Sequence, residues 1–71
     1  MEDNIRIRIG KKLKELRKKH KMTQEKLSET AKVDYKYLQR LEGKSPPALK
    51  VDTIERLAKA LGVEPAELLK Y

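Results

Sequence analysis

The stretch from Thr23 to Glu42, TQEKLSETAKVDYKYLQRLE, constrains the fold most, because it asks for two short helices with a tight break between them. Thr23 is placed to cap the first, since its hydroxyl can accept a backbone N–H of the opening turn. Glu25, in that turn, suits the positive end of the helix dipole. Leu27 and Ala31 share a face with small Ser28 beside them, which gives this helix a narrow apolar edge for close packing. Lys32-Val33 interrupts the pattern, and Asp34 offers a second N-cap. Leu38 and Leu41 then fall on one face of the next helix. Tyr35, Lys36, Gln39 and Arg40 are left on the other, and all four can donate hydrogen bonds outward.

Helices this short are stable only when other elements cover their apolar edges. The chain has 71 residues in which to do so, enough for one domain that buries only about 60% of its unfolded surface. With no Phe and no Trp, the core has to come from Leu, Ile, Val and Ala. Charged residues make up 41% of the chain, so most of the remainder is solvated helix surface, with little room for an enclosed active site. There is no cysteine, which excludes disulfides, thiol catalysis and cysteine-ligated zinc. No apolar run approaches the ~20 residues of a membrane span, and the N-terminus lacks the apolar segment of a secretory signal. A cytoplasmic location is expected.

Ile9, Leu13 and Leu16 follow helical spacing before this segment, and Ile5 extends their stripe backwards. A first helix over about residues 4–20 follows, capped by Asp3 or Asn4 and fraying near His20-Lys21. Ile7 falls off its face. Ile5, Ile7 and Ile9 also alternate with Arg6 and Arg8, which allows a second reading as an extended arm that pairs with another subunit. Gly43 is expected to stop the third helix by taking the left-handed conformation, and Ser45-Pro46-Pro47 enforces a loop. A fourth helix, about 52–61, is expected to open on Asp52, with Glu55 completing a capping-box-like pair. Ile54, Leu57, Ala58 and Leu61 form its buried face and Gly62 ends it. Pro65 fits the first position of a short fifth helix, about 65–70. The sum is an all-α, five-helix single domain over residues 1–71, with helices 2 and 3 at about 24–31 and 35–42.

The net charge is +7 and the isoelectric point about 9.8, which points to a polyanionic partner. The excess is unevenly placed. Residues 1–22 carry nine basic against three acidic side chains, residues 23–43 four of each, and residues 44–71 five against four. Catalysis finds no support. His20 is the single histidine and sits in a run of lysines. The carboxylates show no convergent pair and no metal-ligand spacing, and there is no glycine-rich phosphate loop. Neither enzyme activity nor a cofactor or metal is expected.

The order Leu13-Lys14-Glu15-Leu16-Arg17, Met22-Thr23-Gln24-Glu25-Lys26-Leu27, Val33, Tyr37-Leu38-Gln39-Arg40-Leu41-Glu42-Gly43-Lys44, Thr53-Ile54 and Leu57-Ala58-Lys59-Ala60-Leu61-Gly62-Val63 resembles the Cro/cI-repressor type of helix-turn-helix family, also called XRE or lambda-repressor-like. The resemblance runs from about Ile9 to Leu69. It implies a five-helix DNA-binding domain whose third helix lies in the major groove, with Tyr35, Lys36, Gln39 and Arg40 as base readers. Their chemistry fits: Arg and Lys match the guanine acceptors, and Gln matches adenine N6 and N7. By the same resemblance Thr23, Gln24, Tyr37, Lys44 and Lys19 meet phosphates, though Tyr37 could nearly as readily serve packing beside helix 2 alone, and Lys50 is a weaker candidate because the loop over Ser45–Val51 is longer than the common family form. Glu42, at the unfavourable end of a helix dipole, needs a cation, and the resemblance supplies Arg17 as its ion-pair partner. Lys32 stands where the family usually has Gly, and Ser28 where it often has Ala.

The implied activity is that of a transcriptional repressor or autoregulator acting as a homodimer on a palindromic operator, with half-sites about 34 Å apart. The dimer contact is expected at Val63, Leu68, Leu69 and Tyr71, residues that could equally close the core. Three rivals carry the same residues: an antitoxin with a small-protein partner, a protein-interaction module that keeps the fold without reading DNA, and the DNA-binding half of a longer or engineered regulator.

Overall fold

The computed structural model describes residues 4–70. Five α-helices follow one another along them: α1 (Ile5–Lys19), α2 (Gln24–Ala31), α3 (Tyr35–Leu41), α4 (Val51–Leu61) and α5 (Pro65–Leu68). None of these helices is long and apolar enough to cross a membrane. Asn4, Thr23 and Asp34 cap the first three, each side-chain oxygen accepting the backbone N–H three residues on at 3.0 Å. Asp3 lies outside the described residues. The helical course from Ile5 removes the extended-arm reading for residues 5–9.

Leucine dominates the core. Leu13, Leu27, Leu38, Leu41, Leu57 and Leu68 are essentially without exposed surface, and Leu16, Ala31, Val33, Ala58 and Leu61 complete the cluster. α2 packs on both α3 and α4, while α1 packs on α3 and α5. One close approach governs the α1–α3 contact. A methyl group added at Gly10 would run into the carbonyl oxygen of Leu41, so α1 touches the last turn of α3 backbone to backbone. Ser28 serves α2 similarly, buried with its hydroxyl donating to the Glu25 carbonyl at 2.9 Å.

Three helices end in the same way. Met22, Val33 and Val63 donate their N–H groups back to the Arg17, Ser28 and Ala58 carbonyls at 2.9, 3.0 and 2.9 Å. The residue before each of them is left-handed: Lys21 at φ 56°, Lys32 at φ 58° and Gly62 at φ 73°. This closing motif satisfies the last carbonyls and favours glycine at its left-handed position. Here lysine fills that position twice.

Three expectations need correction. Gly43 does not adopt the left-handed conformation; α3 ends through Glu42 at φ −89°, ψ 0°, in a tightened turn whose Gly43 N–H reaches the Arg40 carbonyl at 3.1 Å. Asp52 does not cap α4, which starts one residue earlier behind Lys50, a cap residue without a side-chain bond. Asp52 complements the helix dipole from inside the first turn instead. α5 stops at Leu68 rather than residue 70. Of the residues expected either to close the core or to meet a partner, Leu68 is fully buried, Leu69 is 43% exposed and Val63 lies half-buried against the core. Tyr71 lies outside the described residues.

Candidate nucleic-acid interface

Burial of Leu38 and Leu41 fixes the rotation of α3 and turns Tyr35, Lys36, Gln39 and Arg40 to solvent. Gln39 donates from Nε2 to the Tyr35 hydroxyl at 3.1 Å. This bond spans one turn and steadies both side chains. It also leaves the Tyr35 O–H, the second Gln39 N–H and the Gln39 carbonyl free to face outward. Lys36 and Arg40 are engaged by no carboxylate among the described residues. The four side chains form one uninterrupted donor-rich face.

The opposite end of α3 is clamped. Arg17 donates to both oxygens of Glu42, from Nε at 2.8 Å and from Nη2 at 2.9 Å, and from Nη1 to the Met22 carbonyl at 2.8 Å. Gln24 adds a third donor to Glu42, from Nε2 at 3.0 Å. The Arg17 and Glu42 side chains are only 10% and 2% exposed. One guanidinium thus joins the end of α1, the α1–α2 turn and the end of α3, and the first residue of α2 closes the same cluster. The fork geometry of arginine fixes direction as well as distance. Since a buried pair offsets little more than its own desolvation, the arrangement sets the angle of α3 against α1 and α2 more than it adds stability.

The expected phosphate contacts divide into two groups. Thr23, Lys44 and Lys19 are exposed, and Thr23 holds its cap at the same time. Gln24 has one N–H committed to Glu42 and keeps the other. Tyr37 is a correction: its hydroxyl donates to the Ala48 carbonyl at 2.8 Å, so its proton holds the α3–α4 loop and is not available to a phosphate. The buried Pro46 anchors the same loop. Lys50 immediately precedes α4 at the far side of it.

Sequence reasoning missed two participants. Gly10 was signalled by a glycine inside a helical pattern, which marks a close backbone approach. The Gln24–Glu42 bond, between residues 18 positions apart, had no local signal.

Comparison with known proteins gives a consistent picture. The helix-turn-helix domain family matches residues 10–70. The control protein C.BamHI of Bacillus amyloliquefaciens is 36% identical over 72 aligned residues, covering 100% of this chain and 88% of that protein. The restriction-modification controller protein C.AhdI of Aeromonas hydrophila superposes with a TM-score of 0.83 at 32% identity, covering 89% of this chain and 94% of its own. The controller C.Esp1396I, in its nucleoprotein complex, gives a TM-score of 0.80 at 26% identity over 99% of this chain and 100% of its own. With its motif on α2 and α3 and its match running nearly from end to end, the chain belongs to the helix-turn-helix domain family, in the XRE-type, Cro/cI-like form that its sequence resembles.

Proposed function

We propose that this chain is the controller protein of a restriction–modification system, a cytoplasmic, non-enzymatic transcriptional regulator that binds operator DNA sequence-specifically as a homodimer and acts on its own promoter. The observation that carries this reading is the capped, clamped α3 with its donor-rich outer face. Tyr35, Lys36, Gln39 and Arg40 are the base readers, and Thr23, Gln24, Lys44 and Lys19 the phosphate contacts. Likeness over nearly the whole chain to control proteins, one of them in a nucleoprotein complex, supports it. Exposed Leu69 and the outer edge of Val63 support a C-terminal dimer contact, which would set two copies of α3 about 34 Å apart along one face of a duplex.

The test is selection of binding sites from a random duplex library at near-physiological salt. Enrichment of a two-fold symmetric motif is the expected result. Binding without any enriched motif would contradict sequence reading by α3.

A further inference from the structure

The positive surface does not stop at the end of α3. A cleft between α1 and the residues after α3 is lined by Ile7, Lys11, Lys14, Glu42, Gly43 and Lys44. Glu42, the one carboxylate among the described residues that line it, is already held by Arg17 and Gln24, and its side chain is 2% exposed. The ammonium groups of Lys14 and Lys44 therefore define the charge that the cleft presents. Lys14 and Lys44 take part in no ion pair among the described residues. The floor, by contrast, is apolar, formed by half-buried Ile7 and the methylene stems of the lysines.

An apolar floor under a cationic rim matches a sugar–phosphate backbone, whose deoxyribose offers C–H surface and whose phosphates carry one negative charge per about 1.7 Å of duplex. The cleft is also continuous with the interface proposed above, since Lys44 belongs to both. We propose that the DNA interface continues from α3 across Lys44 onto α1, where Lys14 grips a backbone phosphate outside the bases that α3 reads. This rests on the DNA-binding reading and adds to it a second contact zone, in which flanking DNA of any sequence contributes to affinity. It also gives a purpose to the concentration of charge in residues 1–22, which the charge-balanced motif does not use.

The test compares the intact protein with Lys14→Gln and with Lys14→Ala on two duplexes. One ends at the selected motif. The other carries about half a helical turn, ~5 base pairs, of arbitrary sequence on each side. Affinity is read by fluorescence anisotropy between about 50 and about 200 mM salt. Each phosphate contact steepens the logarithmic salt slope by about 0.9, which across that range is roughly a 3.5-fold additional loss of affinity. The unmodified protein is expected to bind the longer duplex more tightly and with the steeper slope. Both variants are expected to lose that advantage and to match the unmodified protein on the short one. If flanks bring no gain, or if the variants keep the gain, the contact on α1 does not exist. If the variants weaken both duplexes equally, Lys14 acts only through the general field, and the proposal is equally overturned. Absence of any preference for the motif over a scrambled duplex would instead defeat the underlying reading. Melting curves of the variants, expected to superpose, show that these exposed substitutions leave the fold intact.

Discussion

Lys32 and Lys21 carry backbone conformations that glycine would hold at lower cost. A non-glycine residue in the left-handed region costs roughly 1–2 kcal/mol, partly offset because glycine also frees the unfolded chain. Lys32→Gly and Lys21→Gly should each raise stability by roughly 0.5 kcal/mol, measured by urea denaturation, and a loss of stability would show that the lysine side chains hold these turns. Gly10 and Gly43 make the opposite comparison. A methyl group at Gly10 meets the Leu41 carbonyl, whereas at Gly43 its nearest atoms are carbonyl oxygens at 3.4 Å, with φ outside the left-handed region. Gly10→Ala should therefore cost about 1–3 kcal/mol, the range for forcing bulk into a packed contact. Gly43→Ala should be close to neutral. Equal effects at the two sites would show that α1 and α3 can separate without loss.

Among the elements, α3 is held at both ends, and each hold has its own consequence. Removing Arg17 alone strands the Glu42 carboxylate in a buried site, an outcome worth about 3–5 kcal/mol for such pairs. Arg17→Met combined with Glu42→Leu should cost much less than the sum of the single changes. A coupling below about 0.5 kcal/mol in that cycle would mean the two side chains act independently. Tyr37→Phe removes only the hydroxyl that holds Ala48, so about 0.5–1.5 kcal/mol is expected, together with faster amide exchange in the loop over 43–50. The same division separates what could be read in the sequence from what could not. Asn4, Thr23 and Asp34 announce helix starts through bonds to residues three positions on, and the leucine periodicity announces the buried faces, because both signals are local. The close of α3 and the start of α4 are set by contacts across the fold, among them Tyr37 to Ala48 and the burial of Pro46, so the glycine and Asp52 signals there misled. Gln24 is drawn to Glu42, and Leu68 into the core, by neighbours that only the folded chain brings near.

At the scale of the whole molecule, specificity and affinity should reside in different residues. The surface of α3 offers directional donors on a charge-balanced motif, and such groups discriminate bases without much dependence on salt. Lys44, past the end of α3, offers a point charge that releases counterions from whatever backbone it meets. Arg40→Ala should therefore cost ~1–3 kcal/mol on the selected operator and relax the preference at one base position, with little loss on unrelated DNA. Lys44→Ala should weaken binding to operator and unrelated duplex by the same factor and lower the salt slope by about 1. Binding isotherms on both duplexes at three or more salt concentrations separate these patterns. Parallel losses for the two variants across all sequences would assign Arg40 to the backbone and move the reading role to Tyr35, Lys36 and Gln39, the donors that share its face.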